Sequence, residues 1–367
     1  MRRRPGSLAG VITIRTGRVI GVRRTWPGAI ALDVDVDGAA RVALAYPALV
    51  GAPQAGDEVL LNTTAVDLGL GTGGYCLVVA CPARPPVDFA GPGHLVKARY
   101  TPLQATVLGV DEEGSPHRGA MEAADTLAGL PVVVADLHSA LPAVVVGIRA
   151  ARPAARIVYV MTDGGALPLW FSRSVAELRE RSLLAATITV GQAFGGDHEA
   201  VTLHSGLLAA YAVEHADVVV VAQGPGNLGV ATPWGFSGVA AGDAINAVAA
   251  LDGVPVACLR ISAADPRERH QGISHHSRTA YGRVALARAR VVVPRFGTPL
   301  DAAVAKDLAD SGITARHDIV GQNVDGLLAA LRASGLALST MGRGLEADTE
   351  YFLAAAAAGR YAGDLTG

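Results

Sequence analysis

The densest chemistry in the sequence lies in residues 265–279, DPRERHQGISHHSRT, where Arg267, Arg269, His270, His275, His276 and Arg278 crowd together. Arginine forks donate to phosphate or carboxylate oxygens, and imidazoles exchange protons near neutral pH. Ser274 reads as an N-cap, so a helix opening at His275 adds its free N–H groups and positive end to the same field. With Arg260 just upstream, this segment is expected to hold a small anionic ligand, phosphorylated metabolites included, with His275, His276 or His198 as acid or base. The structural alternative is a solvated loop in which Arg267, Glu268 and Arg269 form an ion cluster.

Two further constellations carry chemistry. The loop Gly224-Pro225-Gly226-Asn227-Leu228-Gly229 follows an apolar strand and matches G-x-G-x-x-G, half of a dinucleotide fingerprint. Pro233 and Gly235 oppose a helix opening within it, and no acidic residue closes a following strand to meet a ribose. A cradle of backbone N–H groups for phosphate or carboxylate, or a plain turn, is therefore expected rather than NAD. Asp136, His138, Asp163, Asp197, His198, Glu199 and His204 form a scattered set of carboxylates and imidazoles. Their spacing fits no standard zinc motif, and Asp136 and Asp197 could equally cap helices, so no metal site is assigned. If a metal is bound, Asp136, His138, Asp197 and His198 are the expected ligands, while Asp136 and Asp163 otherwise join the catalytic candidates. No serine stands in G-x-S-x-G, and Cys258 falls inside an apolar strand, which disfavours acyl-enzyme chemistry. No motif names a cofactor.

The elements that must position these residues change rhythm once along the chain. Up to residue 81 the sequence consists of short alternating runs (11–14, 18–23, 29–36, 41–45, 58–61 and 75–80) separated by turns such as Asp37-Gly38, the pattern of a small β-barrel over residues 1–81. The Pro/Gly-rich stretch 82–94 reads as a linker. From 95 to 367 apolar strands alternate with loops and helix-length segments: 104–110, 132–135, 156–161, 187–190, 217–222, 254–259, 290–293 and a weaker run near 314–320. Near-continuous valine and isoleucine mean strands covered on both faces, so an α/β, Rossmann-like domain is expected, its doubly wound and mainly parallel sheet flanked by helices on both faces. In such sheets ligands bind beyond the carboxyl ends of the strands, which predicts that Asp136, Asp163, Gly196, Gly226 and Arg260 share one edge.

Composition bounds the rest. The 367 residues carry a formal charge of −2 and are 50% hydrophobic but only 17% charged, against about 25% in typical domains. Surface is therefore expected to be hidden in a core or a homo-oligomer interface, with no footprint for nucleic acid. All but Lys97 and Lys306 of the 31 basic residues are arginine, which makes any single arginine less diagnostic. No apolar run approaches the roughly 18 residues of a membrane span, and the basic start MRRRPGS leads into alternation rather than a signal-peptide core. Cys76, Cys81 and Cys258 make no C-x-x-C pair, so a reducing cytoplasm is the expected compartment.

Through NTTAVDLGLGTGGY (62–75), DLHS (136–139), FGGDHEAVTLHSGL (194–207), GPGNLGVATPWGFSG (224–238) and ADPRERHQGISHHSRT (264–279), the chain resembles an uncharacterised bacterial family, domain of unknown function 3866. The resemblance spans essentially the whole chain. It implies an intracellular bacterial protein of barrel-plus-α/β design and carries no catalytic role to any residue. The residues themselves point first to an enzyme acting on a small anionic metabolite. A non-catalytic ligand-sensing or assembly protein using the same pocket, and a divalent-metal-dependent hydrolase, stand as alternatives, so whether the chain turns over a ligand stays open.

Overall fold

The computed structural model describes residues 10–71 and 73–366, so the basic start MRRRPGS lies outside the described residues. Contacts divide the chain into two compact units: the first runs to Gly91 and regains Tyr100–Ala105, and the second holds Pro92–Arg99 and Thr106–Gly367.

The first unit is a closed five-stranded barrel. Ile14–Trp26 pairs antiparallel with Ala29–Val36 and with Glu58–Asn62, while Cys76–Ala80 runs parallel to Ala39–Ala45 and antiparallel to Glu58–Asn62. Alternation places Val19, Leu32, Val34, Val59, Leu61 and Val78 inside. The expected runs 11–14 and 18–23 are instead one strand starting at Ile14, bent by register shifts at Val19/Gly21 and Val22/Arg24. Such irregularities add the local twist that lets a long strand curve around a small barrel. Asp37 and Gly38 both take positive φ, 53° and 81°, the signature of the type I′ hairpin that Asp-Gly favours.

The second unit is built on eight parallel strands in the order His198–Glu199, Ala186–Thr189, Ile157–Thr162, Val218–Gln223, Pro131–Val134, Val254–Cys258, Arg290–Arg295, Asp318–Asn323. One face packs Leu141–Ala151, Arg173–Glu180, Leu327–Ala333 and Thr349–Asp364; the other packs Leu203–Ala212, Ala240–Ala250 and Leu300–Ser311. The doubly wound, Rossmann-like architecture read from the valine runs is therefore the one adopted. The alanine run at 354–358 is explained by contact between helices. A Cβ on Gly147 would lie 1.9 Å from the Ala356 carbonyl oxygen, and one on Gly359 would lie 2.0 Å from that of Val144.

One expected strand is corrected. Within 104–110 only Ala105–Val107 is a strand, and it pairs with Leu95–Lys97 in a separate two-stranded sheet. Gly109 makes just one parallel bridge, to Glu199 at the sheet edge. A short apolar run carries no mark of which sheet it will join. No helix among the described residues is long and apolar enough to cross a membrane.

Candidate metal centre

Because all eight strands are parallel, the chain leaves each at one edge. From Ile157–Thr162 the chain moves outward to Ala186–Thr189, whereas from Val218–Gln223 it crosses the other way to Val254–Cys258. The crevice between these neighbours is the topological switch point, the usual ligand position in open parallel sheets. Here Asp136, Thr162, Gln223, Ser237 and Gly238 line a small pocket. The crevice is otherwise closed by backbone: a Cβ on Gly165 would lie 2.2 Å from the Gly224 carbonyl oxygen.

The 260–279 segment folds against this edge. Ile261–Ser262 and Gly272–Ile273 form an antiparallel ribbon that returns Ser274 to Arg260, whose carbonyl accepts from the Ser274 N–H at 2.9 Å. Ser274 Oγ accepts from the His276 N–H and caps the helix His275–Thr279, as its sequence suggested. That helix continues as a π-turn, Ala280–Val284, a local distortion frequent at functional sites. Tyr281 anchors it, with its hydroxyl 2.8 Å from the Val134 carbonyl oxygen and 3.2 Å from that of Cys258. The result suspends three imidazoles beyond the ends of Pro131–Val134 and Val254–Cys258.

His270, His275 and His276 offer ligand nitrogens that all lie within 4.8 Å of one another. Their ring centroids are 4.4–5.0 Å apart. His270 and His276 are buried and His275 is half-buried, leaving His275 as the opening to solvent. Burial, reinforced by Arg260, Arg267 and His276, pushes the His270 imidazole down to about 2. Burial with His276, Arg269 and Arg260 pushes His275 down to about 4. Both rings are thus neutral at physiological pH, the form that binds metals. His270 Nδ1 is 2.7 Å from Ser274 Oγ, and His275 Nε2 is buried with no hydrogen-bond partner among the described residues. Phe236 lies parallel to His276, 3.9 Å between centroids and 2° between planes.

The arginines of the segment divide. Asp265, 1% exposed, accepts from Arg267 Nε and Nη2 at 2.9 and 2.8 Å and from Arg343 Nη2 at 3.0 Å. Arg260 Nη2 adds a longer contact at 3.4 Å. Burial alone would raise this carboxyl, but Arg267 and Arg343 hold it well below the usual range. Arg343 also bridges to buried Asp348, which accepts from Ser262 Oγ. Arg267 and Arg343 are thus balanced by Asp265 from within the segment and by Asp348. Arg278 pairs with Asp307, and Arg269 is exposed.

The Gly224–Gly229 loop turns inward on its own side chain. Asn227 Oδ1 accepts from Gln223 Nε2, Ser237 Oγ and the Gly238 N–H at 2.9–3.1 Å. Gly226 takes φ 93°, and Gly229 bridges to Phe236. The loop therefore delivers Phe236 to the histidines.

The four residues weighed as a metal set have separate partners. Buried His138 contacts Tyr159 OH at 3.0 Å and Ser172 Oγ at 2.6 Å, and burial pushes it down to about 4. Asp197 accepts from Arg179 and from the Thr187 N–H and hydroxyl. His198 Nε2 contacts Glu214 at 2.6 Å. The reason is topological: the chain turns back alongside Ala186–Thr189, so that His198 and Glu199 pair in parallel with Ile188 and Thr189. A Cβ on Gly196 would accordingly lie 3.0 Å from Thr187 O and from Thr189 N, alongside the strand and not beyond it. Asp163 accepts from the Gln192 N–H at 2.9 Å. Asp136 alone of that set meets the histidines, its Oδ2 3.6 Å from His276 Nδ1. Sequence reasoning missed Asp265, Arg343 and Phe236, and it read the three histidines as anion-binding or acid–base groups, not as metal ligands. The adjacency His275-His276 after a serine cap was the available signal.

A comparison with curated proteins finds no match. Residues 42–359 match the family described as Protein of unknown function (DUF3866). On that match, which takes in the strand ends, the glycine loop and all three histidines, the chain belongs to the DUF3866 family.

Proposed function

We infer that this protein binds a divalent transition-metal ion at His270, His275 and His276 and uses it to hydrolyse a small anionic substrate. The observation that carries the reading is the convergence of three ligand nitrogens within 4.8 Å. An all-imidazole set suits zinc and its neighbours better than magnesium or calcium. Zinc–nitrogen bonds of about 2.0–2.1 Å place tetrahedral nitrogens about 3.4 Å apart, so an ion draws the rings inward. Three protein ligands leave a fourth position for water, whose pKa a zinc ion lowers toward 7. An anionic substrate follows from the ion's own charge and from exposed Arg269, whose charge is felt at His275.

A second reading is a metal-responsive sensing or assembly protein without turnover. It is favoured by the engagement of Arg260, Arg267 and Arg343 with Asp265, which leaves those guanidinium groups little freedom to clamp a substrate. Calorimetric titration with Zn²⁺ and Mn²⁺, followed by hydrolysis assays on phosphomonoesters and carboxylic esters, tests both. The expected result is one ion per chain, lost in His275→Ala, with metal-dependent release of product. Ion binding without turnover across the panel supports the second reading, and no ion binding overturns both.

A further inference from the structure

Asp136 carries a buried acceptor that the site leaves unanswered. Its side chain is 4% exposed, and its Oδ2 has no hydrogen-bond partner among the described residues. Buried acceptors are rarely left so, least of all ionised ones. His276 Nδ1 lies 3.6 Å away, just beyond hydrogen-bond range. The same nitrogen lies 3.3 Å from Arg260 Nη1. An arginine can only donate and a carboxylate can only accept, so the two neighbours demand opposite tautomers of one ring. With Arg260 donating, Nδ1 is bare and the proton sits on Nε2, which then cannot ligate. With Nδ1–H donating to Asp136, Nε2 is free. The backbone is held by the Ser274 cap, and Phe236 stacks flat on the ring, so the choice needs only a small movement within the ring plane. Arg260 has somewhere to go, since its Nη2 already lies 3.4 Å from Asp265.

We propose that Asp136 is a positioning residue for a metal ion at the three histidines: it accepts a hydrogen bond from His276 Nδ1–H and so leaves Nε2 free for the ion, while Arg260 holds the opposite tautomer when no ion is bound. The role rests on the metal reading above and acts through His276. Carboxylates that orient ligating histidines typically carry 10–100-fold of metal affinity.

The test is zinc titration of wild type, Asp136→Asn and Asp136→Ala, together with ¹⁵N–¹H correlation spectra of histidine-labelled protein, His276 being assigned through His276→Gln. Affinity should fall about 10–100-fold in Asp136→Ala, and less in Asp136→Asn, whose amide oxygen still accepts. In wild type the His276 proton should move from Nε2 to Nδ1 when Zn²⁺ binds. Wild-type affinity in Asp136→Ala, or a His276 Nδ1 that stays unprotonated with zinc bound, overturns the positioning role. If the alanine variant does not fold, the wild-type spectra still decide. Loss of zinc in His275→Ala alongside unaffected Asp136 variants would sink this role while leaving the metal site standing. Absence of zinc binding in wild type would remove both.

Discussion

Arg267 and Arg269 stand two positions apart in sequence, yet the fold gives them different work. Arg267 makes a forked pair with a carboxylate that is itself out of water, whereas Arg269 is exposed. Arg267→Ala should therefore cost about 1–3 kcal/mol, the usual loss when a buried group forfeits a charged partner while others remain. Arg269→Ala should stay within about 0.5 kcal/mol in a urea titration of ligand-free protein. Equal effects would mean that Asp265 is satisfied without Arg267. His138 makes a second residue-level case. It is held neutral down to about pH 4, below the ordinary histidine value near 6.5. Above about pH 7 both folded and unfolded states are neutral there, and the group contributes nothing. As pH falls through about 6.5 the unfolded chain takes up a proton that the folded one refuses until about 4, so stability declines across that window. His138 alone accounts for about 3 kcal/mol, and His275 acts in the same direction. The melting temperature of wild type should drop between about pH 6.5 and 4, and His138→Gln should flatten part of that drop.

At the scale of elements, the contact between Leu141–Ala151 and Thr349–Asp364 sets how closely two helices pack on one face of the sheet. Gly147 and Gly359 let the two backbones approach to where no side chain fits. Gly147→Ala should force the helices apart and cost at least about 1–3 kcal/mol, the range of overpacking in a dense core. Gly119, in the helix Arg118–Ala123, has nothing within 4 Å of a built Cβ, so Gly119→Ala should be neutral or stabilising by up to about 1 kcal/mol. Chemical denaturation of the two variants side by side checks the contrast. If both behave alike, close approach is not what the glycine at 147 supplies.

Across the whole molecule, Lys97 shows why the second unit reclaims Pro92–Arg99. Its ammonium, fully buried, donates to the carbonyls of Ala193 and Ala200 at 2.9 and 3.0 Å and lies 3.4 Å from Glu199. Burial pushes Lys97 down and Glu199 up, each partly offset by the other. Removing one partner strands the other's charge, so Lys97→Met should cost about 3–5 kcal/mol, and adding Glu199→Gln should recover much of it. A double variant no better than the single would show that the carbonyl contacts dominate. Metal acts on this scale too. The core is large and the histidine site is not its foundation, so chelator-treated protein should unfold cooperatively. Zinc at a hundredfold excess over Kd should add about 2.7 kcal/mol by mass action, read as a rise in melting temperature.

Periodicity determined most of the architecture. Alternation before residue 81 became the barrel, valine runs became parallel strands, Asp37-Gly38 became the hairpin, and Ser274 capped its helix, because each rests on local backbone preference and on which faces are buried. What the sequence could not say was which polar groups meet. Asp265 finds Arg343 across 78 positions, Asp136 reaches His276, and Phe236 arrives from the far arm of a glycine loop. Those pairings depend on strand order and on the ribbon at 261–273, and neither leaves a mark in residue spacing. The same limit explains His198: its neighbours Asp197 and Glu199 looked like part of one edge, but the chain turns back alongside Ala186–Thr189, where His198 and Glu199 pair with Ile188 and Thr189. Only the tertiary structure turned a crowd of cations into an ion network with His270 and His275 held neutral at its margin, because burial decides which imidazoles keep their lone pairs.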